Sequence, residues 1–225
     1  MTTVFPATVK CSVCGAENEI MVIGSTNAFG APDLDTRPPE MKRSTMGYWV
    51  QECRACGYTA VDLTDETILD RSFFEEEAYK TCNGISFASD LAKRFYRQYY
   101  INMAEADNKG AFFAALHAAW ACDDAGDEKN AVLMREKAIE RANRVFALGS
   151  CEWEDTLRLI RADLLRRTGR FDDLLSEYRP GMFGEELLNR IIVFELELAR
   201  RGYTQRFTVE DSEQYAAGTF VWPGE

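Results

Sequence analysis

Two short cysteine-containing segments carry the clearest chemistry in this sequence. CSVCG spans residues 11–15, and CRACG spans residues 53–57. A Cys-x-x-Cys-Gly turn directs two thiolates to one point, and its glycine permits the positive φ that such a turn needs. Two such turns supply the four sulfur ligands that Zn²⁺ takes in a tetrahedral structural site. The candidate metal ligands are therefore Cys11, Cys14, Cys53 and Cys56.

The same cysteine pattern also fits other chemistry. A single iron held by four thiolates, as in rubredoxin, uses segments that look the same in sequence. A redox pair of the thioredoxin type fits less well, because two segments would be redundant and neither opens a helix after a βαβ strand. We therefore predict a zinc site, with iron as the alternative.

The residues around both segments predict short strands. VFPATVK precedes the first segment and IMVIG follows it, while MGYWVQE precedes the second and YTAVDL follows it. All four stretches are rich in β-branched or aromatic residues and are bounded by Gly, Pro or Asn. Strands that enter and leave metal-binding turns form a zinc ribbon. A unit of about sixty residues with few large apolar side chains needs such a metal clamp to be stable.

A long loop separates the two cysteine segments. The interval between Cys14 and Cys53 exceeds the usual spacing of about 15–20 residues, and residues 24–47 are dense in Gly, Pro, Ser and Thr. A loop of that length inside a small domain is commonly functional or mobile. Its charged residues make it a candidate recognition loop, and they are Asp33, Asp35, Arg37, Lys42 and Arg43.

Two other interpretations of this loop remain open. The simpler one is a surface loop held by its own Asp–Arg pair and by an Asx turn at Asp33. The weaker one is a divalent-metal or phosphate site at Asp33 and Asp35, because two carboxylates without a further ligand are common by chance.

From Thr64 onwards the apolar residues recur at helical spacing. LTDETILDRSFFEEEAYKTC predicts a helix that is capped at Thr64 or Asp65 and runs to Gly84, and SFASDLAKRFYRQYYINMAEAD predicts the next helix. Further helical stretches follow, and each ends at Gly or at Pro180–Gly181, as helix C termini commonly do. Consecutive helices with small residues at their crossings predict paired α-hairpins.

Part of this helical region resembles tetratricopeptide repeats (TPR). Small residues, glycine turns and one aromatic position carry the resemblance: Ala162, Leu165, Gly169, Leu174 and Tyr178, echoed by Ala119, Gly126, Ala131 and Ala138. The two glycine turns lie further apart than the ~34 residues of the regular repeat. The resemblance implies TPR-like hairpins that bind a protein or peptide segment in a groove.

The whole layout is similar to a family of uncharacterised bacterial proteins in which a double-CxxC zinc ribbon precedes TPR-like helices. CSVCG, FGAPDLDTRPPEMKRSTM and QECRACGY carry this similarity, which covers the remainder of the chain only in outline. The family has no assigned reaction, so the similarity implies an architecture and a metal but no activity. We predict an α+β protein with a zinc-ribbon domain at residues 1–63, an all-α, TPR-like helical-hairpin domain at 64–206 and a tail at 207–225.

Charge narrows the class of partner. The first part of the chain, through Ala60, is almost neutral, so the net charge of −11 lies almost wholly in the helical remainder. Binding to nucleic acid depends on cations that replace condensed counterions, so nucleic acid is a poor partner for such a surface. The acidic helices instead favour a basic protein or peptide. Binding of nucleic acid to the ribbon remains a minor alternative, because the ribbon carries four cations that could contact phosphates: Arg37, Lys42, Arg43 and Arg54.

The sequence predicts a cytoplasmic protein. Its N-terminal residues lack the basic start and apolar run of a secretory signal, and no apolar stretch approaches the ~18 residues of a membrane span. In a reducing compartment cysteines serve as metal ligands and buried thiols rather than disulfides. We therefore expect three of them to be small buried apolar side chains: Cys82, Cys122 and Cys151.

No catalytic constellation stands out in the sequence. The single histidine, His117, lies in the middle of the helical stretch AALHAAW, where histidine usually packs or hydrogen-bonds. The sequence contains no GxSxG, Walker-type or dinucleotide-binding fingerprint. We predict a non-enzymatic zinc-binding adaptor, with an iron protein for electron transfer or redox sensing as the alternative.

The C-terminal tail is polar and then abruptly apolar. Phe220, Val221 and Trp222 form an aromatic-rich cluster close to the last residue. Such a cluster either packs back on the protein or contacts another chain. We expect packing within the molecule or in a dimer.

Overall fold

The structure is a computed structural model that describes residues 1–149 and 154–224. Short antiparallel strands at the N-terminal end precede a helical remainder, which confirms the predicted α+β class. In the described ranges, no helix has the length and apolar character needed to cross a membrane. The strands are β1 (Thr3–Lys10), β2 (Glu17–Ser25), β3 (Gln51–Glu52) and β4 (Thr59–Ala60). The α-helices are α1 (Glu77–Lys80), α2 (Asp90–Ala104), α3 (Asn108–Asp124), α4 (Glu128–Leu148), α5 (Glu154–Arg167), α6 (Phe171–Glu177), α7 (Glu186–Arg200) and α8 (Val209–Ala216).

The strands form two separate antiparallel pairs, each closed by one cysteine segment. β1 pairs with β2 along its whole length, from Thr3 opposite Ser25 to Lys10 opposite Glu17. β3 pairs with β4 through only two residue pairs. The stretch MGYWVQE, predicted as a strand, is a strand only at its end, Gln51–Glu52, and its first three residues belong to a 3₁₀ segment (Arg43–Tyr48). Local side-chain bonds explain this difference, because the Thr45 hydroxyl donates to the Lys42 carbonyl at 2.6 Å and accepts from Trp49 Nε1 at 2.9 Å.

Contacts divide the chain into two compact units. Unit 1 contains Met1–Ala28 and Glu40–Arg141, and unit 2 contains Phe29–Pro39 and Ala142–Glu225. The loop between the cysteine segments is therefore shared, since its middle belongs to unit 2. The ranges 1–63, 64–206 and 207–225 follow sequence pattern rather than contacts, and they stay a prediction.

Helices α2 and α3 of unit 1 form a closely packed hairpin. Ser89 caps α2 by accepting a hydrogen bond from the Ala92 N–H, and Asp107 caps α3 by accepting one from the Gly110 N–H. α3 packs along α2 and buries a row of small side chains, which permits close approach of the two helices: Ala111, Ala114, Ala115, Ala118 and Ala119.

The segment predicted as one helix from Thr64 to Gly84 is different in the structure. It consists of turns, a 3₁₀ segment at Arg71–Glu75, the single-turn helix α1 and a second 3₁₀ segment at Cys82–Gly84. Asp70, not Thr64 or Asp65, provides the side-chain cap, by accepting from the Ser72 N–H at 2.8 Å. The tight turns place Phe74 and Tyr79 in the core beside the cysteines, with 1% of each exposed. Burial of these rings outweighs the helical pattern of the segment.

In unit 2, α5 and α6 form a helical hairpin around Gly169. Gly169 has a φ of +75°, and the next N–H, of Arg170, donates to the Leu165 carbonyl at 2.8 Å, as in a Schellman C-cap. Gly126, between α3 and α4 in unit 1, has a φ of +67°. These positions confirm the predicted glycine turns, while the TPR-like character of the hairpins stays a prediction.

The middle of the long loop packs in unit 2. The Leu34 N–H donates to the Phe207 carbonyl at 3.0 Å, and the Val209 N–H donates to the Pro32 carbonyl at 2.9 Å. Leu34 itself is buried, with 2% exposed. Backbone bonds to the segment that enters α8 therefore hold this part of the loop.

A buried cluster of charges joins α5 to α7 in unit 2. The Arg166 guanidinium donates from Nε to Glu195 Oε2 at 2.6 Å and from another nitrogen to Asp163 Oδ1 at 2.5 Å. The three side chains are at most 2% exposed. Asp163 Oδ2 and Glu195 Oε1 are also buried, and neither has a hydrogen-bond partner among the residues that the structure describes. One cation against two carboxyls leaves an excess negative charge, and a proton held by Glu195 would remove it.

The C-terminal aromatic residues pack within unit 2. The rings of Phe220 and Trp222 lie 5.1 and 6.4 Å from that of Phe194 on α7. The Trp222 ring also stacks on Tyr203, and the Arg201 guanidinium lies 3.6 Å from its centre. The sequence predicted that the tail packs within the molecule or in a dimer, and the structure shows packing within the molecule.

Glu195→Gln should change how the stability of the protein depends on pH. Burial raises the pKa of Glu195 to about 8, so the folded protein retains a proton that the unfolded chain releases near pH ~4.3. The stability that this group contributes is fully present below the unfolded pKa and is lost as pH rises through the folded pKa. We expect the variant to gain at least about 1 kcal/mol over the wild type between about pH 5 and pH 9, measured by urea unfolding.

Glu197→Gln on the same helix is the control, because Glu197 pairs with Arg201 at a partly exposed site. Its difference from the wild type should not grow with pH. Equal pH dependence of the Glu195→Gln variant and the wild type would show that Glu195 is ionised in the folded protein.

Trp222→Ala should lower the free energy of unfolding by about 2 kcal/mol, less than the loss for a fully buried tryptophan because the ring is half-buried. Val221→Ala is the neighbouring control, since 75% of Val221 is exposed. Thermal and urea unfolding measure both variants. Equal stability of Trp222→Ala and the wild type would mean that the tail does not pack on α7 in solution.

Candidate metal centre

The first cysteine segment forms a tight turn between β1 and β2, here called the first knuckle (residues 11–16). The Cys11 N–H donates to the Ala16 carbonyl at 2.9 Å, and the Gly15 N–H donates back to the Cys11 carbonyl at 2.8 Å. Gly15 has a φ of +71°, which a side chain would strain. These bonds direct both cysteine side chains to the same side of the turn.

The second knuckle (residues 53–58) repeats this geometry between β3 and β4. The Cys53 N–H donates to the Tyr58 carbonyl at 2.8 Å, and the Gly57 N–H donates to the Cys53 carbonyl at 2.8 Å. Gly57 has a φ of +80°. The near-identity of the two sequence segments therefore corresponds to near-identical backbone hydrogen bonding.

The two knuckles bring all four predicted ligands together. Cys11 Sγ lies 3.7 Å from Cys56 Sγ, and Cys14 Sγ lies 3.6 Å from Cys53 Sγ. The four sulfur atoms all lie within 4.8 Å of one another. A tetrahedral site with metal–sulfur bonds of about 2.3 Å has sulfur–sulfur edges of about 3.8 Å. The observed separations match those edges and exceed the ~2.05 Å of a disulfide bond, so the cluster could hold one metal ion.

The electrostatics of the cluster also favour a cation. Burial raises the pKa of Cys11, and burial together with the neighbouring sulfur atoms raises that of Cys56. Burial acts on Cys53 in the same direction, but backbone N–H groups of the knuckle and the Asn18 amide lower its pKa to about 7. Four thiolates this close repel one another, and a shared cation offsets that repulsion.

An aromatic core supports the second knuckle from one side. Cys11 and Cys53 are buried among Tyr58, Phe74 and Tyr79. The Tyr79 hydroxyl donates to the Gly57 carbonyl at 2.6 Å, so a residue of α1 holds the knuckle directly. Cys14 and Cys56 are only partly buried.

Sequence reasoning missed one residue of this centre, Asn18. It lies on β2 with 5% exposed, and its side-chain amide contacts both knuckles. The only signal in the sequence is that Asn18 is a polar residue on the same strand face as the apolar Ile20, and a buried polar side chain needs hydrogen-bond partners.

The candidate recognition loop is divided between the two units. Asp33, Asp35 and Arg37 lie in unit 2 and are at most 5% exposed. Asp33 accepts a backbone bond from the Thr36 N–H at 2.9 Å, and Asp35 lies 3.6 Å from an Arg167 nitrogen. The loop's own Asp33–Arg37 backbone bond, at 2.9 Å, closes this turn.

The other two loop residues lie in unit 1. Lys42 precedes the 3₁₀ segment, and Arg43, its first residue, pairs with Asp124 of α3 at 3.3 Å. Among the described residues, the four cysteines are the only group of three or more Cys, His, Asp or Glu side chains close enough to share an ion. Asp33 and Asp35 are therefore not part of such a group.

His117 lies among aromatic rings in unit 1. Its ring centre is 5.0–5.3 Å from those of Trp49, Phe95 and Trp120. Burial lowers the pKa of His117 to about 4, so the imidazole is neutral near pH 7. Cys82 and Cys122 are buried thiols, as predicted, and Cys151 lies outside the described residues.

A cleft of about 920 Å³ in unit 1 opens beside the second knuckle, and both Cys53 and Cys56 line it. Cations and carboxylates line the cleft in similar numbers, with apolar groups between them. Lining residues include Met21, Tyr48, Arg54, Arg71, Lys80 and Glu75. This mixture suits a polypeptide segment better than a single small ion.

Comparison with known proteins adds no family to this description. The chain matches no family model, and neither curated proteins nor solved structures give a significant match. The similarity to ribbon–TPR proteins therefore stays a prediction, and the geometry of the cysteine cluster is the basis for a functional proposal.

Cys53→Ser should abolish stoichiometric metal binding, because it removes one of four converging ligands. We expect the metal content of the purified variant to fall well below one ion per chain, with a loss of several kcal/mol in the free energy of unfolding. Cys82→Ser is the matched control: it removes a buried thiol of the same unit that is not in the cluster. Equal metal content in the two variants would mean that the knuckles are not the binding site.

Proposed function

We propose that this protein is a non-enzymatic adaptor whose N-terminal ribbon is stabilised by a structural Zn²⁺ ion. The observation that carries the proposal is the convergence of four sulfur atoms within 4.8 Å of one another, with two separations, 3.6 and 3.7 Å, close to the edge of a tetrahedral site. Four cysteine ligands complete the coordination of zinc and leave no open position for a substrate, which is typical of structural rather than catalytic sites. When bound, the ion neutralises the thiolates and joins the two knuckles.

Iron is the second candidate, and the partial exposure of Cys14 and Cys56 favours it. A rubredoxin-like centre needs sulfur atoms near the surface, because solvent exposure tunes its potential and a redox partner must approach. The protein would then act in electron transfer or redox sensing. Both metals fit the same four ligands.

Binding of a protein or peptide segment is the activity that we assign to the rest of the chain. In unit 1 the mixed cleft beside the second knuckle offers one surface for such a segment. The helical hairpins, with their buried small residues and glycine turns, support a TPR-like groove, and their acidic balance favours a basic partner. Buried thiols such as Cys82 and Cys122 suit a reducing compartment, so we propose a cytoplasmic location.

Metal analysis of the protein purified from its native cytosol tests the metal assignment. We expect one zinc ion per chain and no visible absorption. Intense absorption in the visible range together with one iron ion would replace zinc by the iron alternative. A protein with four reduced cysteines and no bound metal would contradict both.

Affinity capture with charge-reversal variants tests the adaptor assignment. Arg54→Glu changes an exposed cation in the cleft, and Lys129→Glu makes the same change on an exposed face of α4. Partners that wild type and Lys129→Glu retain and that Arg54→Glu loses would support binding at the cleft. Equal retention by all three proteins would exclude the cleft as the binding surface.

A further inference from the structure

Asn18 connects the two knuckles through its side chain. Its Nδ2 donates to the Ala16 carbonyl of the first knuckle at 3.0 Å and to Cys53 Sγ of the second at 3.5 Å. Its Oδ1 accepts a hydrogen bond from the Arg54 N–H, in the second knuckle, at 3.1 Å. Both polar atoms of this buried amide therefore form hydrogen bonds. One bond goes to the first knuckle, and the other two go to the second.

Comparison of the knuckles shows why this residue matters. The N–H that follows the first cysteine of each knuckle needs an acceptor outside the turn. In the first knuckle this is Ser12, whose N–H donates to the Leu63 carbonyl at 2.9 Å. In the second knuckle it is Arg54, and the Asn18 side chain takes the place of the carbonyl. Asn18 lies seven residues after Cys11, and the residue seven positions after Cys53 is Ala60, whose side chain has no amide.

The bond to Cys53 breaks the electronic symmetry of the cluster. The Asn18 amide donates to this sulfur at 3.5 Å, and Ala60, at the equivalent position relative to the second knuckle, offers no such donor. Hydrogen bonds to a thiolate withdraw charge from it and hold its orientation, as outer-shell groups do at metal centres.

We propose that Asn18 is the positioning residue of the metal centre: it fixes the second knuckle against the first and tunes the bond between Cys53 and the ion. This inference rests on the proposed metal site. Asn18 acts through the knuckles and Cys53, and it is not itself a ligand. Its loss should therefore make the ion leave faster while the four ligands remain.

Asn18→Asp tests the proposal by a nearly isosteric change. The aspartate retains an acceptor for the Arg54 N–H, but a carboxylate oxygen replaces the nitrogen that donates to Cys53 Sγ and to the Ala16 carbonyl. We expect zinc to transfer to a chromogenic chelator about 10–100-fold faster than from the wild type. Asn27→Asp, the same change at an exposed position after β2, is the control and should release zinc at the wild-type rate. Equal release rates in all three proteins would overturn the proposal.

Cobalt substitution separates the electronic role from a purely structural one. In Co²⁺-loaded protein, loss of the N–H bond should shift the sulfur-to-cobalt charge-transfer band of both Asn18→Asp and Asn18→Ala to lower energy. A residue that only stabilises the fold would leave this band unchanged. An unshifted band in both variants would therefore refute the electronic part of the inference.

A measurement on the wild type keeps the proposal testable if the variants do not fold. In ¹⁵N-labelled protein loaded with ¹¹³Cd²⁺, the Asn18 side-chain amide protons should exchange slowly and show scalar coupling to the metal through sulfur. Fast exchange without coupling would show that the amide does not bond to Cys53. If the wild type takes up no zinc, cobalt or cadmium at all, the proposed metal site fails; if it binds metal but Asn18 shows none of these effects, only the present inference fails.

Discussion

The convergence of four cysteine sulfurs on one point constrains the N-terminal part of this protein. The sulfurs lie within 4.8 Å of one another, at the ends of two sheets of only two strands each. Two-stranded sheets are marginal in water, and clustered thiolates repel one another. A shared cation would offset both problems, because the free energy of metal binding becomes free energy of folding. The strands thus position the four cysteines, and an ion bound there would in turn stabilise the strands.

The support around the cluster is less symmetric than the cluster itself. A backbone carbonyl, that of Leu63, completes the first knuckle, whereas the side chain of Asn18 completes the second. Tyr79 adds a bond to the Gly57 carbonyl only on the second side. Both knuckles therefore depend on residues that are distant in sequence, and the second depends on side chains, those of Asn18 and Tyr79. It also lines the cleft, so the surface proposed for binding and the asymmetric half of the centre coincide.

Unit 2 is stabilised by different chemistry. Its helices bury an arginine with two carboxyls, and Arg166 also donates to the Tyr203 and Gln205 carbonyls at 2.9 and 2.8 Å. A buried group of this kind is costly unless every charge has a partner, so its geometry specifies one arrangement of α5, α7 and the segment before α8. Backbone bonds of Leu34 to that same segment hold the middle of the long loop.

The sequence by itself determined the candidate metal ligands, the glycine turns and the α+β class, because each depends on local spacing: Cys-x-x-Cys-Gly bends the chain wherever it occurs, and apolar periodicity indicates the helices from α2 onwards. Only the tertiary structure decided the role of Asn18, the short 3₁₀ turns between Thr64 and Gly84 and the burial of Asp35 and Arg37. These features depend on partners far along the chain. The local sequence around a residue does not identify the distant carbonyl, sulfur or ring that the residue contacts. Burial against that partner outweighs local propensity.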